Sequence, residues 1–247
     1  MHNTGCIKPF YIASMETRSL SQYQIFEDRY DAGKKLSLQL RRFMKGDTCI
    51  LALPRGGVEV AVPISEKFHL PVDVIIARKI TAQAQPEFAI GALSEFDITY
   101  MNNTMTRHLR LSQHDIDNLI RSEKKELERR IKLYRNNRNL SYIFGKTVLL
   151  VDDGVATGLT AKAAIESTRM LNPKHIIFVT PVCAKDSLPI LQRYADSVVS
   201  ILTPHNLRAV GNYYRHFEQI SDDRVIELLS NHSSLSSSHH HSSYKLF

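Results

Sequence analysis

Apolar positions along the chain switch between helical spacing and short unbroken runs, and each switch marks an element. Ala32, Leu36, Leu40 and Phe43 recur every three or four residues and predict an amphipathic helix ending near Gly46 and Asp47. Residues 48–53 (TCILAL) form an apolar run between turn residues and predict a buried strand. Pro54-Arg55-Gly56-Gly57 breaks that run, and a helical stretch follows to about residue 68, with Pro63 predicting a kink or a later start. Residues 71–77 predict a second strand, 81–87 a polar loop, and 89–100 a pair of short strands. From Ser112 to about Asn136 a single long helix is predicted, with Ile116, Leu119, Ile120, Leu127, Ile131 and Tyr134 as its apolar stripe. Strands are predicted at 148–151, 175–180 and 197–202, with helices at about 159–171 and 187–194 between them. Strands alternating with helices in this way imply a mostly parallel sheet covered on both faces, an α/β fold.

Composition narrows the class. The 247 residues are 43% hydrophobic and 23% charged, ordinary globular usage that excludes wholesale disorder. No run approaches the ~18 apolar residues of a membrane helix, and the first twenty residues lack the apolar stretch of a secretory signal. Cys6, Cys49 and Cys183 are too far apart for a zinc motif and read as reduced thiols, so a cytoplasmic protein is expected. The formal charge is +7, and residues 121–138 hold eight Lys/Arg against three Glu. Such a segment is either a solvated helix laced with ion pairs, Glu126/Arg130 and Glu128/Lys132 having the favourable spacing, or a basic face for a polyanion. The segment beyond Ser230 is polar and of low complexity, and is expected to be disordered.

The chemistry concentrates in residues 148–160, VLLVDDGVATGLT. A buried strand delivers Asp152 and Asp153 at its carboxyl end, and a short loop then leads into a helix. Loop N–H groups and the helix start make a concave anion site, Thr157 and Thr160 add hydroxyls, and Gly158 admits close approach. The carboxylates can accept hydrogen bonds from sugar hydroxyls or orient a hydrated divalent ion. A nucleoside-triphosphatase reading fails, because Gly145-Lys146-Thr147 precedes the strand and Leu140 replaces the first glycine of that motif. Paired acids alone also suit receiver or phosphatase sites, which leave the ATGLT loop unexplained.

Residues 148–160 resemble the phosphoribosyl diphosphate (PRPP) signature of the type I phosphoribosyltransferases. Leu53-Pro54-Arg55-Gly56-Gly57 resembles that family's pyrophosphate loop, and Arg78-Lys79 falls where its members supply cations to the same group. Phe26-Glu27-Asp28-Arg29 with Ala32-Gly33, residues 86–91 and residues 209–214 resemble a little-characterised bacterial branch. The resemblance implies a five-stranded parallel core sheet flanked by helices, with a small hood. It divides the chain into an extension (1–25), a phosphoribosyltransferase domain (26–230, core about 46–205) and a tail (231–247).

By the same resemblance, Asp152 and Asp153 face the ribose hydroxyls, and Ala156, Thr157, Gly158, Leu159 and Thr160 hold the 5′-phosphate. Arg55, Gly56 and Gly57, with Arg78 and Lys79, bind pyrophosphate beside Mg²⁺, which Asp152 and Asp153 meet through water. The Pro54–Arg55 bond is the candidate for the cis peptide often found in this loop. Arg55-Gly56-Gly57 as a plain turn and Arg78-Lys79 as an exposed strand end stay open at this point. The implied reaction transfers 5-phosphoribosyl from PRPP to a nitrogenous acceptor and releases pyrophosphate, in nucleotide metabolism, with a homodimer as the usual assembly. A PRPP-sensing regulator that binds nucleic acid through the basic segment is the alternative. Residues 81–87 are the expected closing loop. Tyr213, Tyr214 and Phe217 either stack on an acceptor ring or pack onto the core. Ala156 stands where hypoxanthine–guanine members carry an aspartate that meets N7 of the purine.

Overall fold

The computed structural model describes residues 10–15, 26–44, 46–82, 85–136 and 138–232. Its strands are β1 (Phe10–Met15), β2 (Thr48–Ala52), β3 (Val72–Val74), β4 (Ala77–Ala82), β5 (Gln85–Ser94), β6 (Thr99–Met101), β7 (Thr147–Val151), β8 (His175–Val182) and β9 (Ser197–Leu202). Its α-helices are α1 (Arg29–Leu40), α2 (Gly56–Phe68), α3 (Asn103–His108), α4 (Gln113–Arg135), α5 (Leu159–Arg169), α6 (Leu188–Tyr194) and α7 (Asp222–His232).

The main sheet is parallel throughout, in the order β1-β9-β8-β7-β2-β3. The five-stranded parallel core is as expected. β1, from the segment read only as an extension, adds a sixth strand beside β9. Alternate residues serve the two faces: Ile50, Ala52, Leu149 and Val151 enter one core, and Cys49, Leu51, Val148 and Leu150 the other. Burial on both sides explains why these strands are unbroken apolar runs. Cys49 and Cys183 are free and buried, and Cys6 lies outside the described residues.

Several boundaries differ from the sequence reading. α2 starts at Gly56 and runs through Pro63 without the later start, although proline cannot donate to the Glu59 carbonyl. The strand expected at 71–77 ends at Val74, because the chain leaves the sheet at Ile75 and Ile76 and begins β4 in a second sheet. That sheet is antiparallel, ordered β4-β5-β6. Of the loop expected at 81–87, Thr81 and Ala82 end β4 and residues 85–87 begin β5, with Thr81 opposite Ala89 and Ala82 opposite Gln85 across register shifts; residues 83 and 84 lie outside the described residues. The sequence reading assigns no helix at α7, which continues to His232; the remainder of the tail lies outside the described residues.

The long helix is as predicted. Ser112 caps it by accepting from the Asp115 N–H, and Asn136 closes it in the left-handed conformation. A buried ion pair, Arg135 to Glu95, anchors its last turn. Glu95 Oε1 also accepts the Ile76 N–H at 2.8 Å, and Ser167 Oγ donates to the Glu95 carbonyl at 2.7 Å. The small antiparallel sheet, α4, α5 and the exit from β3 are thus locked together at one point.

Candidate functional site

Register assembles the site. Ala52 of β2 lies opposite Val151 of β7, so the turn at Pro54 and the loop at Asp152 leave the sheet side by side. Val74 of β3 lies opposite Ala52, and the chain then turns into β4 beside the same edge. A cleft of 450 Å³ opens there, at the carboxyl ends of the strands where α/β sheets take ligands. Pro54, Arg78, Lys79, Thr81, Asp152–Gly158, Thr160 and Val210 line it, together with Glu123 and Arg130 of α4.

The loop after β7 is built as the sequence suggests. The Val155 N–H donates to the Val182 carbonyl at 2.9 Å, and the Ala184 N–H donates back to the Val155 carbonyl at 2.8 Å. Ser187 Oγ donates to the Ala156 carbonyl at 2.5 Å. Gly158 has φ +76°, a conformation that suits glycine, and caps α5 without a side chain. The first N–H groups of α5 therefore have no helical acceptor and face the cleft end of the helix.

Asp152 Oδ1 accepts the Asp153 N–H at 2.9 Å. Burial, and then the neighbouring Asp153 charge, push the Asp152 carboxyl well above the usual carboxylate range, while Lys79 acts in the opposite direction. Burial also raises Asp153, opposed by Arg29. Arg29 Nε donates to Asp153 Oδ2 at 2.8 Å from outside the cleft. Two recessed carboxylates, each in its costlier state when ionised, suit a cation in front of them. Among the described residues no cluster of three or more His, Cys, Asp or Glu could hold a metal. The pair fits Mg²⁺ held through water and substrate oxygens, the ion's usual mode.

The turn after β2 packs directly on this pair. The Pro54–Arg55 bond is cis. A Cβ on Gly56 would fall 1.7 Å from Asp153 Oδ2, so only glycine fits against the carboxylate. Gly56, Gly57 and Leu159 support the cleft without lining it. Arg55 does not line it either; its NH1 lies 3.7 Å from Asp222 Oδ1 at the start of α7. Arg78 lines the cleft but is held by Glu123 Oε2, at 2.8 Å from Nε and 2.6 Å from NH2. Lys79 lines it and is exposed.

Tyr214 packs instead of presenting its ring. It is 6% exposed, its hydroxyl donates to the Asp153 carbonyl at 2.6 Å, and it stacks on Phe217 at 4.8 Å. Phe217 in turn carries the Arg29 guanidinium 3.8 Å above its ring, and Tyr213 is half-buried against the core. The stacking alternative is overturned for Tyr214 and Phe217, because their faces are already occupied.

Sequence reasoning misses Arg29 as a partner of Asp153, and misses Glu123 and Arg130 as cleft residues. The second pair is detectable. Positions 120, 123, 127, 130 and 134 share one helix face, so Glu123 and Arg130 interrupt an apolar stripe. The ion pair foreseen for Glu126 and Arg130 forms at 2.8 Å, with Arg129 sharing the same carboxylate.

The phosphoribosyl transferase domain profile matches residues 19–215. Two Mycobacterium tuberculosis proteins, of strains CDC 1551 / Oshkosh and ATCC 25618 / H37Rv and provisionally named phosphoribosyl transferases, are each 36% identical to it over 206 residues. Those matches cover 83% of this chain and 46% of each relative, so the chain spans less than half their length. The crystal structure of TT1426 from Thermus thermophilus superposes with a TM-score of 0.68 at 31% identity, covering 84% of this chain and 99% of that one. The chain belongs to the phosphoribosyltransferase family.

Proposed function

We propose that this protein transfers the 5-phosphoribosyl group of PRPP to a nitrogenous acceptor and releases pyrophosphate. The observation that carries this reading is the joining of three features at one cleft: the recessed Asp152–Asp153 pair, the loop into the start of α5, and the turn after β2, whose Gly56 packs against the Asp153 carboxylate. The 5′-phosphate sits on the N–H groups at the start of α5, with the Thr157 and Thr160 hydroxyls and the Gly158 backbone around it. The ribose hydroxyls donate to Asp152 and Asp153. The diphosphate end lies toward Pro54, the Arg55–Gly57 turn and Lys79. Mg²⁺, held by the carboxylates through water, neutralises the diphosphate when bound.

No covalent nucleophile is needed. As the C1–O bond breaks, positive charge builds on the ribose ring and negative charge on the departing pyrophosphate. The ionised carboxylates act on the first and the fixed cations on the second, so catalysis rests on preorganised charge and positioning. The acceptor is not a 6-oxopurine held through a loop carboxylate, since Ala156 offers only a carbonyl already bound to Ser187. A screen of adenine, guanine, hypoxanthine, orotate, uracil and ammonia, read by pyrophosphate release from PRPP with Mg²⁺, tests the reading. Release with at least one amine or base supports it, and none, with PRPP unbound, refutes it.

A further inference from the structure

We propose that Arg130, a residue of α4 outside every motif of the site, is the guanidinium that grips the pyrophosphate group alongside the Pro54–Gly57 turn. The inference rests on the phosphoribosyl-transfer reading and adds to it a residue of α4.

The first support is the accounting of guanidiniums, Lys79 being the cleft's exposed ammonium. Arg78 is held by Glu123, and Arg55 is drawn toward Asp222. Arg130 is committed along one edge only: its Nε donates to Glu126 Oε1 at 2.8 Å, and among the described residues its terminal nitrogens meet no acceptor. Those two nitrogens are the pair a phosphate group takes in a forked contact. Glu126 does not cancel the charge, because Arg129 binds both of its oxygens, at 2.7 and 3.0 Å. Asp222 is likewise divided, accepting from Arg129 at 2.8 Å and from the Tyr134 hydroxyl at 2.5 Å. Two carboxylates thus serve three guanidiniums, and the local excess is positive.

The second support is position. Arg130 is 13% exposed, lines the cleft, and stands one turn before Tyr134, whose hydroxyl is tied to Asp222 beside Arg55. It therefore approaches from the side of the Pro54 turn. Its occurrence within an apolar stripe is offset only in part by Glu126, whose oxygens Arg129 also takes. The Nε contact with Glu126 Oε1 at 2.8 Å holds the guanidinium before the ligand arrives.

The test is calorimetric titration of the full chain with Mg²⁺-pyrophosphate and, separately, ribose 5-phosphate. Arg130→Gln is expected to weaken pyrophosphate by about tenfold to a hundredfold, the value of a charged hydrogen-bonding contact, with ribose 5-phosphate within about twofold. Arg130→Lys, which keeps the charge and loses the fork, is expected to fall between. Unchanged pyrophosphate affinity in either variant, or equal losses for the two ligands, overturns the assignment. In a parallel arm, Asp152→Asn with Asp153→Asn must weaken ribose 5-phosphate. If that arm behaves so while Arg130 variants bind pyrophosphate normally, the transfer reading stands and only Arg130 is wrong. If the unaltered protein binds neither ligand, both fall.

Discussion

Arg29 Nε donates to Asp153 Oδ2 at 2.8 Å, joining residues 124 apart in sequence. The arginine is 8% exposed, and its NH1 also donates to the Glu218 carbonyl at 3.0 Å. One oxygen of this cleft-lining carboxylate is thereby held by a residue that does not line the cleft. Removing the guanidinium takes away the charge that favours ionised Asp153, so the carboxyl pKa rises further. Arg29→Gln is therefore expected to shift the acid limb of PRPP binding to higher pH, while Arg29→Lys restores part of the shift. A pH series of PRPP affinities checks this, and a loss of the same size at every pH would contradict it.

Asp152 is expected to cost stability. Its folded-state pKa is raised by burial and by Asp153, so between the unfolded value and that raised value the native state binds more protons than the unfolded chain. Stability from this group is thus lost as pH rises through the window, and the penalty is complete above it. Asp152→Asn keeps the acceptor for the Asp153 N–H and removes the penalty. Thermal unfolding without ligand should show Tm higher by about 2–4 °C at neutral pH, the gain shrinking toward pH 4. A fall in Tm at neutral pH would contradict the sign.

Gly56→Ala is expected to displace the Asp153 carboxylate, since the new methyl overlaps Oδ2 and also lies 2.8 Å from Arg29 Nε. Stability should fall by about 1–3 kcal/mol. PRPP affinity should fall by up to about a hundredfold, as for other misplaced catalytic groups. Urea unfolding and PRPP titration measure the two effects, and a variant with native PRPP affinity would show that Asp153 need not stay where it is.

Much of this is legible in the sequence. Two-sided burial of β2, β7 and β8 produces unmistakable apolar runs, and the chemistry after β7 is local, so the consecutive residues 148–160 announce it. What escapes notice depends on contacts between distant segments. Nothing near Arg29 signals that it will meet Asp153, and Arg55 reads as a free cation until Asp222 is brought beside it by α7. β4 and the first residues of β5 are hidden because polar residues in a strand have the composition of a loop, whereas the strands expected at 89–100 overlap the rest of β5 and β6. β1 is passed over because a lone edge strand leaves little pattern.

The Glu95–Arg135 pair joins the end of β5 to the last turn of α4, with side chains 6% and 4% exposed. Glu95→Gln leaves a buried guanidinium without its counter-charge and should destabilise the fold by about 3–5 kcal/mol. Denaturant unfolding measures this. Replacing both residues by apolar ones of similar size should recover much of the loss, whereas a double variant as unstable as the single one would show that the Glu95 side chain acts mainly as the acceptor for the Ile76 N–H.

The central claim is that Asp152 and Asp153 hold the ribose of PRPP. The most direct measurement is calorimetric titration of PRPP with Mg²⁺ into the unaltered protein and into Asp152→Asn with Asp153→Asn, each shown by thermal unfolding to be cooperatively folded. The unaltered protein should bind one PRPP per chain, and the double variant should bind at least about tenfold more weakly, the loss of roughly one charged hydrogen bond. Full PRPP affinity in a folded double variant would contradict the claim.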